Sequence, residues 1–300
     1  MAAPRIAILG AGSLGLLFGA SLAASGQSVH LLRRPGHRPT EERIRLERGG
    51  ERRELSLPAS GIDSPPPDLS HVILCTKAHD AAPAIRQLAP ALPPGAAVLT
   101  LQNGLGSQDA VAAALPGHPV SAGCTTEGAW RRDARTVVHA GIGVTRIGPL
   151  QGDDVDWCQR LGPAGLGCEP VPDIRRWLVD KLRVNALLNP LTVLHDCRNG
   201  GVLEIPGARA ALESLGAEAD AVLAAAGYRF AEGAAARTAA VARATADNVS
   251  SMLQDYRAGR RLELDAITGA ILTLGARHGI ATPEHQRIYD TLRGLAAVGR

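Results

Sequence analysis

Short apolar runs alternate with a helix-like run in the first half of the chain. The runs Arg5–Leu9, Ser28–Leu32, Val72–Thr76 and Ala97–Leu101 are each five residues long and mostly apolar, as strands buried on both faces are. The stretch Ser13–Ser25 between the first two has the length and composition of a helix. Strands that alternate with helices predict βαβ units and a parallel sheet.

A longer β-like run covers Val137–Ile147 and contains Gly141 and Gly143. Glycine inside a strand marks a bulge, a bend or the close approach of another backbone. We therefore expect one bent strand over this range.

The second half of the chain has the pattern of helices. Pro170-Val171-Pro172 forms the predicted linker, because proline and its neighbours favour loops. After about Arg175 the helix-like runs are separated mostly by Gly or Pro, and they cover Trp177–Leu194, Ala208–Ala226, Ala234–Tyr256 and Glu263–His278. We therefore predict an α/β Rossmann-type domain at residues 1–172, followed by an all-α domain at residues 173–300.

Composition and charge argue against two classes of partner. The 300 residues are 45% hydrophobic and 3% aromatic, with a formal net charge of +3 and no long basic run. Nucleic-acid binders need a basic stripe or aromatic stacking platforms. The apolar stretch Ile6–Ala24 superficially resembles a secretory signal, but its glycines fit the glycine-rich motif described below. No apolar segment of the sequence is long enough to span a bilayer. We expect neither a nucleic-acid nor a membrane partner.

Five cysteines are scattered along the chain, at Cys75, Cys124, Cys158, Cys168 and Cys197. Their number is odd and no CxxC pair occurs. We therefore expect no disulfide framework, no metal site and a cytoplasmic location, where thiols stay reduced.

The segment Gly10-Ala11-Gly12-Ser13-Leu14-Gly15 has the pattern GxGxxG between a predicted strand and a predicted helix. In that setting the first glycine permits a tight turn, the second lets the backbone approach a pyrophosphate, and the third lets helix and strand pack closely. The helix N-terminus offers N–H groups and partial positive charge to the phosphates. The motif predicts dinucleotide binding; the alternative is a glycine-rich turn without a ligand.

The second predicted strand is followed by Arg33-Arg34. NAD-binding enzymes place a carboxylate near this point for the ribose hydroxyls, whereas two guanidinium groups attract a 2′-phosphate. The sequence therefore favours NADP(H) as cofactor. A solvated basic loop is the alternative.

Lys181, Asn185 and Asn189 follow one another at intervals of four residues, so they share one face of a helix. Asparagine is unfavourable inside helices because its side chain competes for backbone hydrogen bonds. A lysine ammonium can donate a proton to a ketone oxygen and stabilise the developing alkoxide. The three residues predict a catalytic polar face; from spacing alone, a solvent-exposed polar face stays possible.

Further candidates follow predicted strands or lie near helix ends. Lys77 and Asn103 come after two strands, where ligands bind in open α/β sheets, although Asn103-Gly104 is also an ordinary turn sequence. Ser251 could bind a carboxylate or hydroxyl, and Glu263 could pair with Lys181 or bind a ribose. A capped helix end with surface charges is the alternative for this last pair.

Taken in order, six segments resemble the ketopantoate reductase family, which reduces 2-dehydropantoate to pantoate with NADPH on the route to pantothenate and coenzyme A. They are GAGSLG at 10–15, TKAHD at 76–80, LQNGLG at 101–106, HAGIGVTRIG at 139–148, KLRVNALLNPLTVL at 181–194 and NVSSMLQDYRAGRRLELD at 248–265. The match runs along nearly the whole chain, and the last two segments are the most specific.

The resemblance implies a role for each matching residue. Gly10 to Gly15 would hold the NADPH phosphates and Arg34 the 2′-phosphate, while the nicotinamide side would be lined by Lys77, Asn103 and Ala129. Lys181 would be the general acid, and Glu263 would bind the cofactor ribose and position Lys181. The keto acid would contact Asn103, Lys181, Asn185, Asn189, Asn199, Asn248 and Ser251.

Three positions depart from the family pattern. Leu262 replaces a frequent threonine, His285 replaces a frequent asparagine, and Glu127 brings a charge next to Gly128-Ala129. They leave open a reductase of another branched 2-keto acid, and a non-catalytic NADP(H)-binding sensor is a third possibility. The enzymatic interpretation requires that Lys181 lie beside the nicotinamide in the folded chain, and the helical domain could form a homodimer.

Overall fold

The computed structural model describes residues 5–298, which divide into two units. The first comprises residues 5–102 and 107–177, and the second comprises residues 103–106 and 178–298. The first unit is an α/β domain and the second is helical. The predicted fold class, a Rossmann-type domain followed by an all-α domain, is confirmed.

The first unit is built on one mixed sheet whose strands follow the order β11-β10-β7-β6-β5-β1-β2-β4-β3-β9-β8 in the part of the chain that the structure describes. Its elements are β1 (Arg5–Leu9), α1 (Ser13–Ala24), β2 (Val29–Arg33), β3 (Thr40–Arg48), β4 (Glu51–Gly61), β5 (Leu69–Leu74), α2 (Ala78–Leu88), β6 (Ala97–Thr100), α3 (Ser107–Ala113), β7 (Val120–Thr125), β8 (Gly128–Arg131), β9 (Thr136–Gly141), β10 (Val144–Gln151), α4 (Cys158–Leu161) and β11 (Gly167–Pro170).

Five strands at the centre of this sheet, β2, β1, β5, β6 and β7, run parallel to one another. Alternate residues of β1 enter different cores: Ile6 and Ile8 pack in the cluster that contains α1, and Ala7 and Leu9 in the cluster that contains α2. Because both faces are covered, the central strands are continuous apolar runs. Their carboxyl ends lie at one edge of the sheet.

The β-like run at Val137–Ile147 is not the single bent strand that the sequence predicts. It forms β9 and β10, which separate at Ile142-Gly143. β9 pairs with β3 and β8, whereas β10 pairs with β7 and β11. The glycines therefore mark a change of neighbours in the sheet.

The sequence pattern also misses the β3–β4 hairpin, which spans Thr40–Gly61. Both strands carry many charged side chains, and six of the nine residues of β3 are partly or fully exposed, while Ile44, Leu46 and Glu47 are buried. The hairpin extends the sheet next to β2, because β4 pairs parallel with β2.

The second unit is helical. After α5 (Ile174–Leu194), whose residues from Leu178 onward belong to it, come α6 (Gly201–Glu204), α7 (Pro206–Ala225), α8 (Ala234–Ala244), α9 (Ser251–Arg257), α10 (Thr268–His278) and α11 (Pro283–Val298). One apolar cluster packs these helices together, with Leu187, Leu215, Leu253 and Ile288 fully buried within it.

Two helix predictions were too long. The run Ala234–Tyr256 breaks into α8 and α9, and the run Glu263–His278 becomes helical only at Thr268. The break before α9 ends at Ser250, whose hydroxyl caps the new helix by accepting a hydrogen bond from the Leu253 amide at 3.1 Å. Serine favours such N-cap positions over helix interiors, so Ser250 was the available signal.

One disulfide links Cys158 on α4 to Cys168 on β11, with Cα atoms 5.3 Å apart. The scattered cysteine pattern did not indicate this pair, because the two thiols meet only where the chain folds back over ten residues. The expectation that no disulfide forms is therefore wrong for these two residues. Cys75, Cys124 and Cys197 are not disulfide-bonded.

Among the residues described, no helix combines the length and the apolar character needed to cross a membrane.

Candidate functional site

The glycine-rich loop is packed so tightly that side chains are excluded at two of its positions. A Cβ on Gly10, which has φ +99°, would lie 2.4 Å from the amide nitrogen of Thr76. A Cβ on Gly15 would lie 2.2 Å from the carbonyl oxygen of Gly10. The loop between β1 and α1 therefore lies directly against the end of β5, as the first and third glycines of a dinucleotide motif require.

Gly12 differs from these two glycines because a Cβ there would meet no atom within 4 Å. It is the N-cap of α1, and no side chain caps the helix. The open space therefore lies beside amide groups that point outward from a helix N-terminus, where anions bind. This arrangement fits a pyrophosphate that approaches the backbone at Gly12.

The two arginines after β2 have different surroundings. Arg33 donates from Nε to Glu42 at 2.8 Å and from Nη2 to the second oxygen of the same carboxylate. Arg34 is exposed, and within residues 5–298 its guanidinium has no ion pair or side-chain hydrogen bond. Of the two, Arg34 is the guanidinium available to a 2′-phosphate.

The carboxyl ends of β5 and β6 are tied together by Gln102, a residue that sequence reasoning missed. Its Nε2 donates to the carbonyl oxygens of Leu74 at 2.8 Å and Thr76 at 3.1 Å. Gln102 is buried. It thereby fixes the backbone immediately before Lys77, the N-cap of α2, and immediately before Asn103.

Lys181, Asn185 and Asn189 all lie on α5, as predicted. Lys181 and Asn185 are half-buried and Asn189 is only 5% exposed. The line is therefore not the solvent-exposed polar face that spacing alone left possible. Buried amides on a helix need partners, which a bound polar ligand can supply.

A buried hydroxyl pair joins α5 to the start of α9. Thr192 Oγ1 lies 2.6 Å from Ser250 Oγ and donates to the carbonyl oxygen of Asn189 at 2.7 Å. Ser251, the first residue of α9, is exposed. The structure thus brings the start of α9, where Ser251 lies, to the turn of α5 that carries Asn189 and Thr192.

Asn199 and Asn248 are distant in the sequence but are joined by a backbone hydrogen bond. The Asn199 amide donates to the carbonyl oxygen of Asn248 at 3.0 Å, and Asn199 Nδ2 donates to Thr245 Oγ1 at 2.9 Å. Asn199 Oδ1 is buried without a hydrogen-bond partner among the described residues. Such an acceptor suits a ligand hydroxyl or ammonium.

Asn103 and Glu263 belong to the same unit as α5. A backbone hydrogen bond fixes the segment that contains Asn103 to the second unit: the Leu105 amide donates to the carbonyl oxygen of Ala266 at 2.9 Å. Glu263 is 6% exposed and lies in the non-helical segment between α9 and α10. A buried carboxylate requires a charged or hydrogen-bonding partner.

Comparison with known proteins gives the family. A model of ketopantoate reductase PanE/ApbA matches residues 6–152, and a model of the ketopantoate reductase PanE/ApbA C-terminal region matches residues 173–296. The chain belongs to the ketopantoate reductase family. The similarity therefore covers both units.

Individual relatives agree with this assignment. A 2-dehydropantoate 2-reductase of Halobacterium salinarum is 34% identical over 300 residues, which cover 96% of this chain and 98% of that protein. Another from Yersinia pestis is 38% identical over 226 residues, or 74% of this chain and 73% of that protein. A crystal structure of a PanE/ApbA family ketopantoate reductase from Ralstonia eutropha JMP134 has a TM-score of 0.88 and 26% identity, and covers 98% of this chain and 99% of its own.

As a ketopantoate reductase family member, the chain carries its candidate residues in two sets. The first unit holds the glycine-rich loop, Arg34, Lys77 and Ala129, and the second holds Asn103, Lys181, Asn185, Asn189, Asn199, Asn248, Ser251 and Glu263. Within the second set, short hydrogen bonds connect α5 to α9 and Asn199 to Asn248. The supporting residues Gln102, Thr192, Thr245 and Ser250 carry no signal in the sequence beyond their polar character, apart from the capping preference of serine.

Proposed function

We propose that this protein is an NADPH-dependent 2-dehydropantoate 2-reductase, which reduces the C2 ketone of 2-dehydropantoate to the alcohol of pantoate. Family membership supports the class of enzyme, and the names of the relatives support the substrate. The observation that carries the proposal is the line of Lys181, Asn185 and Asn189 on α5, which is partly or fully buried.

The use of lysine in this chain supports the same conclusion. Of the 32 basic residues, 30 are arginine, and the lysines are Lys77 and Lys181 alone. Arginine stays protonated in proteins, whereas a lysine ammonium can release its proton. A chain that otherwise uses arginine for its positive charges thus keeps lysine at two candidate positions, where proton transfer or a compact ammonium is useful.

The reaction requires a hydride at the carbonyl carbon and a proton at the carbonyl oxygen. NADPH, when bound, supplies the hydride. Lys181 Nζ donates the proton to the oxygen and becomes a neutral amine, which solvent reprotonates; before transfer, its charge stabilises the developing alkoxide. The amides of Asn185 and Asn189 and the Ser251 hydroxyl bind the carboxylate and hydroxyl groups of the keto acid and orient its carbonyl. Glu263 binds the cofactor ribose and positions Lys181.

The residues of the first unit fit the cofactor. The open space at Gly12 and the uncapped N-terminus of α1 suit a pyrophosphate, and Arg34 suits a 2′-phosphate. Lys77 and Ala129 line the nicotinamide side, together with Asn103. The proposal requires that both sets of residues act on one bound cofactor and substrate.

A steady-state assay tests the proposal directly. The purified protein is supplied with 2-dehydropantoate and either NADPH or NADH, and loss of the reduced cofactor is followed by absorbance. We expect rapid turnover with NADPH and a much lower kcat/KM with NADH. A panel of other branched 2-keto acids is the matched comparison. A higher kcat/KM on one of them would make that acid the substrate in place of 2-dehydropantoate. NADPH binding without turnover of any keto acid would indicate a sensor and not an enzyme.

Location and assembly are further parts of the proposal. A cytoplasmic location suits a biosynthetic reductase, and cell fractionation tests it. Association into a homodimer is tested by light scattering of the purified chain.

A further inference from the structure

Glu127 holds a carboxylate that is shielded completely from solvent. Its Oε2 lies 2.6 Å from His139 Nε2, with the two side chains 0% and 1% exposed. The same oxygen accepts a hydrogen bond from the Gly143 amide at 3.0 Å, and Oε1 accepts one from the Gly167 amide at 3.3 Å. A buried carboxylate is stable only when it is paired and hydrogen-bonded in this way.

These contacts join the two ends of the sheet in the first unit. Glu127 immediately precedes β8, which is one edge strand, and Gly167 begins β11, which is the other. His139 lies in β9, and Gly143 immediately precedes β10. One carboxylate thus connects four chain segments, of which the two at β8 and β9 lie at one end of the sheet order and the two at β10 and β11 lie at the other.

The backbone around the carboxylate is packed at the limit of contact. A Cβ on Gly143 would lie 2.4 Å from the carbonyl carbon of Thr126 and 2.6 Å from the amide nitrogen of Glu127. Glycine is therefore required where β10 begins. Such close packing transmits a displacement of Glu127 to the residues on both sides of it.

Arg48 adds a positive charge to the same region. It pairs in register with His139 across β3 and β9. Burial lowers the pKa of Arg48, and the negative charge of Glu127 opposes that shift. The carboxylate is therefore hydrogen-bonded to His139 and to two backbone amides, and Arg48 interacts with it electrostatically from a neighbouring strand.

The segment that Glu127 holds lies at the carboxyl edge of the parallel strands. β7 runs parallel to β6 and ends at Thr125, two residues before Glu127. In open α/β sheets this edge is where ligands bind. Ala129, two residues after Glu127, packs against the same apolar cluster as Ala11 and Leu14 of the glycine-rich loop.

The strand pairing here is irregular. Gly128 pairs with Gly141 and Ala129 with His139, so the register shifts between Gly128 and Ala129. A shift of this kind turns the strand and re-aims its side chains, and it is frequent next to active sites. The residue opposite Ala129 is thus the histidine that binds Glu127.

We propose that Glu127, bound to His139, is a positioning residue that fixes Gly128-Ala129 against the glycine-rich loop and so sets the position of the nicotinamide. The inference rests on the proposed function, because Ala129 must line the nicotinamide side. Glu127 is fully buried, so it does not touch cofactor or substrate and acts through the strand that follows it. Its loss displaces the hydride donor, and a displacement of about 1 Å slows such a reaction by about 100-fold.

The described residues contain a matched control in another Glu–His pair, in which His285 is buried and Glu218 is 13% exposed. Glu218 Oε2 lies 2.8 Å from His285 Nδ1, and the same carboxylate accepts hydrogen bonds from the amides of Glu284 and His285 at 2.7 and 3.0 Å. The pair joins α7 to the start of α11, two helices that carry none of the candidate site residues. Glu127→Gln and Glu218→Gln therefore remove the same charge from similar surroundings.

The test is single-turnover oxidation of NADPH by 2-dehydropantoate in a stopped-flow instrument. The amplitude reports the fraction of folded, active enzyme, and the rate constant reports the positioning of the hydride donor. We expect Glu127→Gln to lower the rate constant by about 10- to 100-fold and to raise the Kd for NADPH, whereas Glu218→Gln keeps both at the wild-type values. A normal rate constant and Kd for Glu127→Gln, with only a lower amplitude or Tm, would overturn the inference.

A second pair of variants covers the case in which Glu127→Gln does not fold. His139→Gln keeps an N–H donor for the carboxylate, whereas His139→Leu removes it. We expect the rate constant of His139→Gln to be closer to that of the wild type; equal rate constants in the two variants would contradict the role. Failure of the wild-type protein to bind NADPH or to reduce the keto acid would instead count against the proposed function itself.

Discussion

Arg33 and Glu42 form a two-point ion pair between the end of β2 and the start of β3, with Arg33 Nε 2.8 Å from Glu42 Oε1. Their side chains are 23% and 19% exposed. The pair neutralises one of the two guanidinium groups that the sequence offers to a 2′-phosphate. The neighbouring Arg34 keeps its charge available.

The first prediction separates the two arginines. Arg34→Ala removes the charge that we propose binds the 2′-phosphate, so we expect the KM for NADPH to rise by about 10- to 100-fold, as loss of a charge-assisted contact of about 1.5–3 kcal/mol implies. The KM for NADH should change little. Steady-state kinetics with both cofactors measure the effect.

Arg33→Ala is the control for this prediction. Its charge is already bound by Glu42, so we expect a smaller change in the KM for NADPH than in Arg34→Ala. A larger effect in Arg33→Ala would show that Arg33, and not Arg34, binds the 2′-phosphate. A strong preference of the wild type for NADH would show that neither arginine binds one.

The second prediction concerns Gly12 and Gly15. A Cβ at Gly12 enters open space, so Gly12→Ala should alter the free energy of unfolding by no more than about 1 kcal/mol. If that space receives the pyrophosphate, the Kd for NADPH should rise at least tenfold. Calorimetry of binding and of thermal unfolding gives the two quantities for each variant.

Gly15→Ala should differ from Gly12→Ala in its effect on stability. Its Cβ would lie 2.2 Å from the carbonyl oxygen of Gly10, so the variant should lose about 1–3 kcal/mol of stability as well as cofactor affinity. Unchanged NADPH binding in Gly12→Ala would show that the loop does not hold the phosphates.

The parts of this fold that local sequence determines could be predicted. β1, α1 and β2 form a βαβ unit whose strands are buried on both faces, so their apolar runs are unbroken and their boundaries are accurate to about one residue. α5 likewise follows the predicted range closely. Charge-rich hairpins such as β3–β4 give no comparable signal, because exposed charged side chains conceal the alternation.

Contacts between distant residues could not be predicted. Glu127 and His285 stood out only as departures from the family pattern, and the structure makes each of them half of a Glu–His pair, with His139 and Glu218. Neither partner is marked by spacing, since the pairs are set by strand register in one case and by helix packing in the other. The Cys158–Cys168 bond was missed for the same reason.

The third prediction concerns stability in acid. His71 contacts the ring of Trp157 edge-on at 5.3 Å and lies beside Ser70. Burial, with a smaller contribution from Arg160, lowers the pKa of His71 from 6.5 to about 4. Between these two pH values the unfolded chain binds a proton at His71 that the folded chain does not.

The free energy of unfolding should therefore decrease as the pH falls from about 6.5 to about 4, with a slope from His71 of at most about 1.4 kcal/mol per pH unit. Chemical denaturation at several pH values measures this slope. His71→Gln removes the titrating group and should give a shallower decrease than the wild type. Identical slopes for the two proteins would contradict the lowered pKa.

The last prediction concerns proton transfer from Lys181. Lys181→Ala removes both the proposed proton donor and the charge proposed to stabilise the developing alkoxide, so kcat should fall by about 10²- to 10⁴-fold. The Kd for NADPH should change little. Near wild-type turnover in this variant would refute the role.

Two companion measurements distinguish proton donation from charge alone. Lys181→Arg keeps the positive charge, but a guanidinium does not release its proton. It should therefore recover only a part of the lost kcat, and it should lack the decrease in kcat at alkaline pH that we expect of the wild type. Small primary amines added to Lys181→Ala should restore some activity, since an ammonium in the vacated space can supply the proton. Lys77→Ala, the change of the chain's other lysine, should raise the KM for NADPH without this rescue. If amines restored Lys77→Ala and not Lys181→Ala, the proton donor would be Lys77.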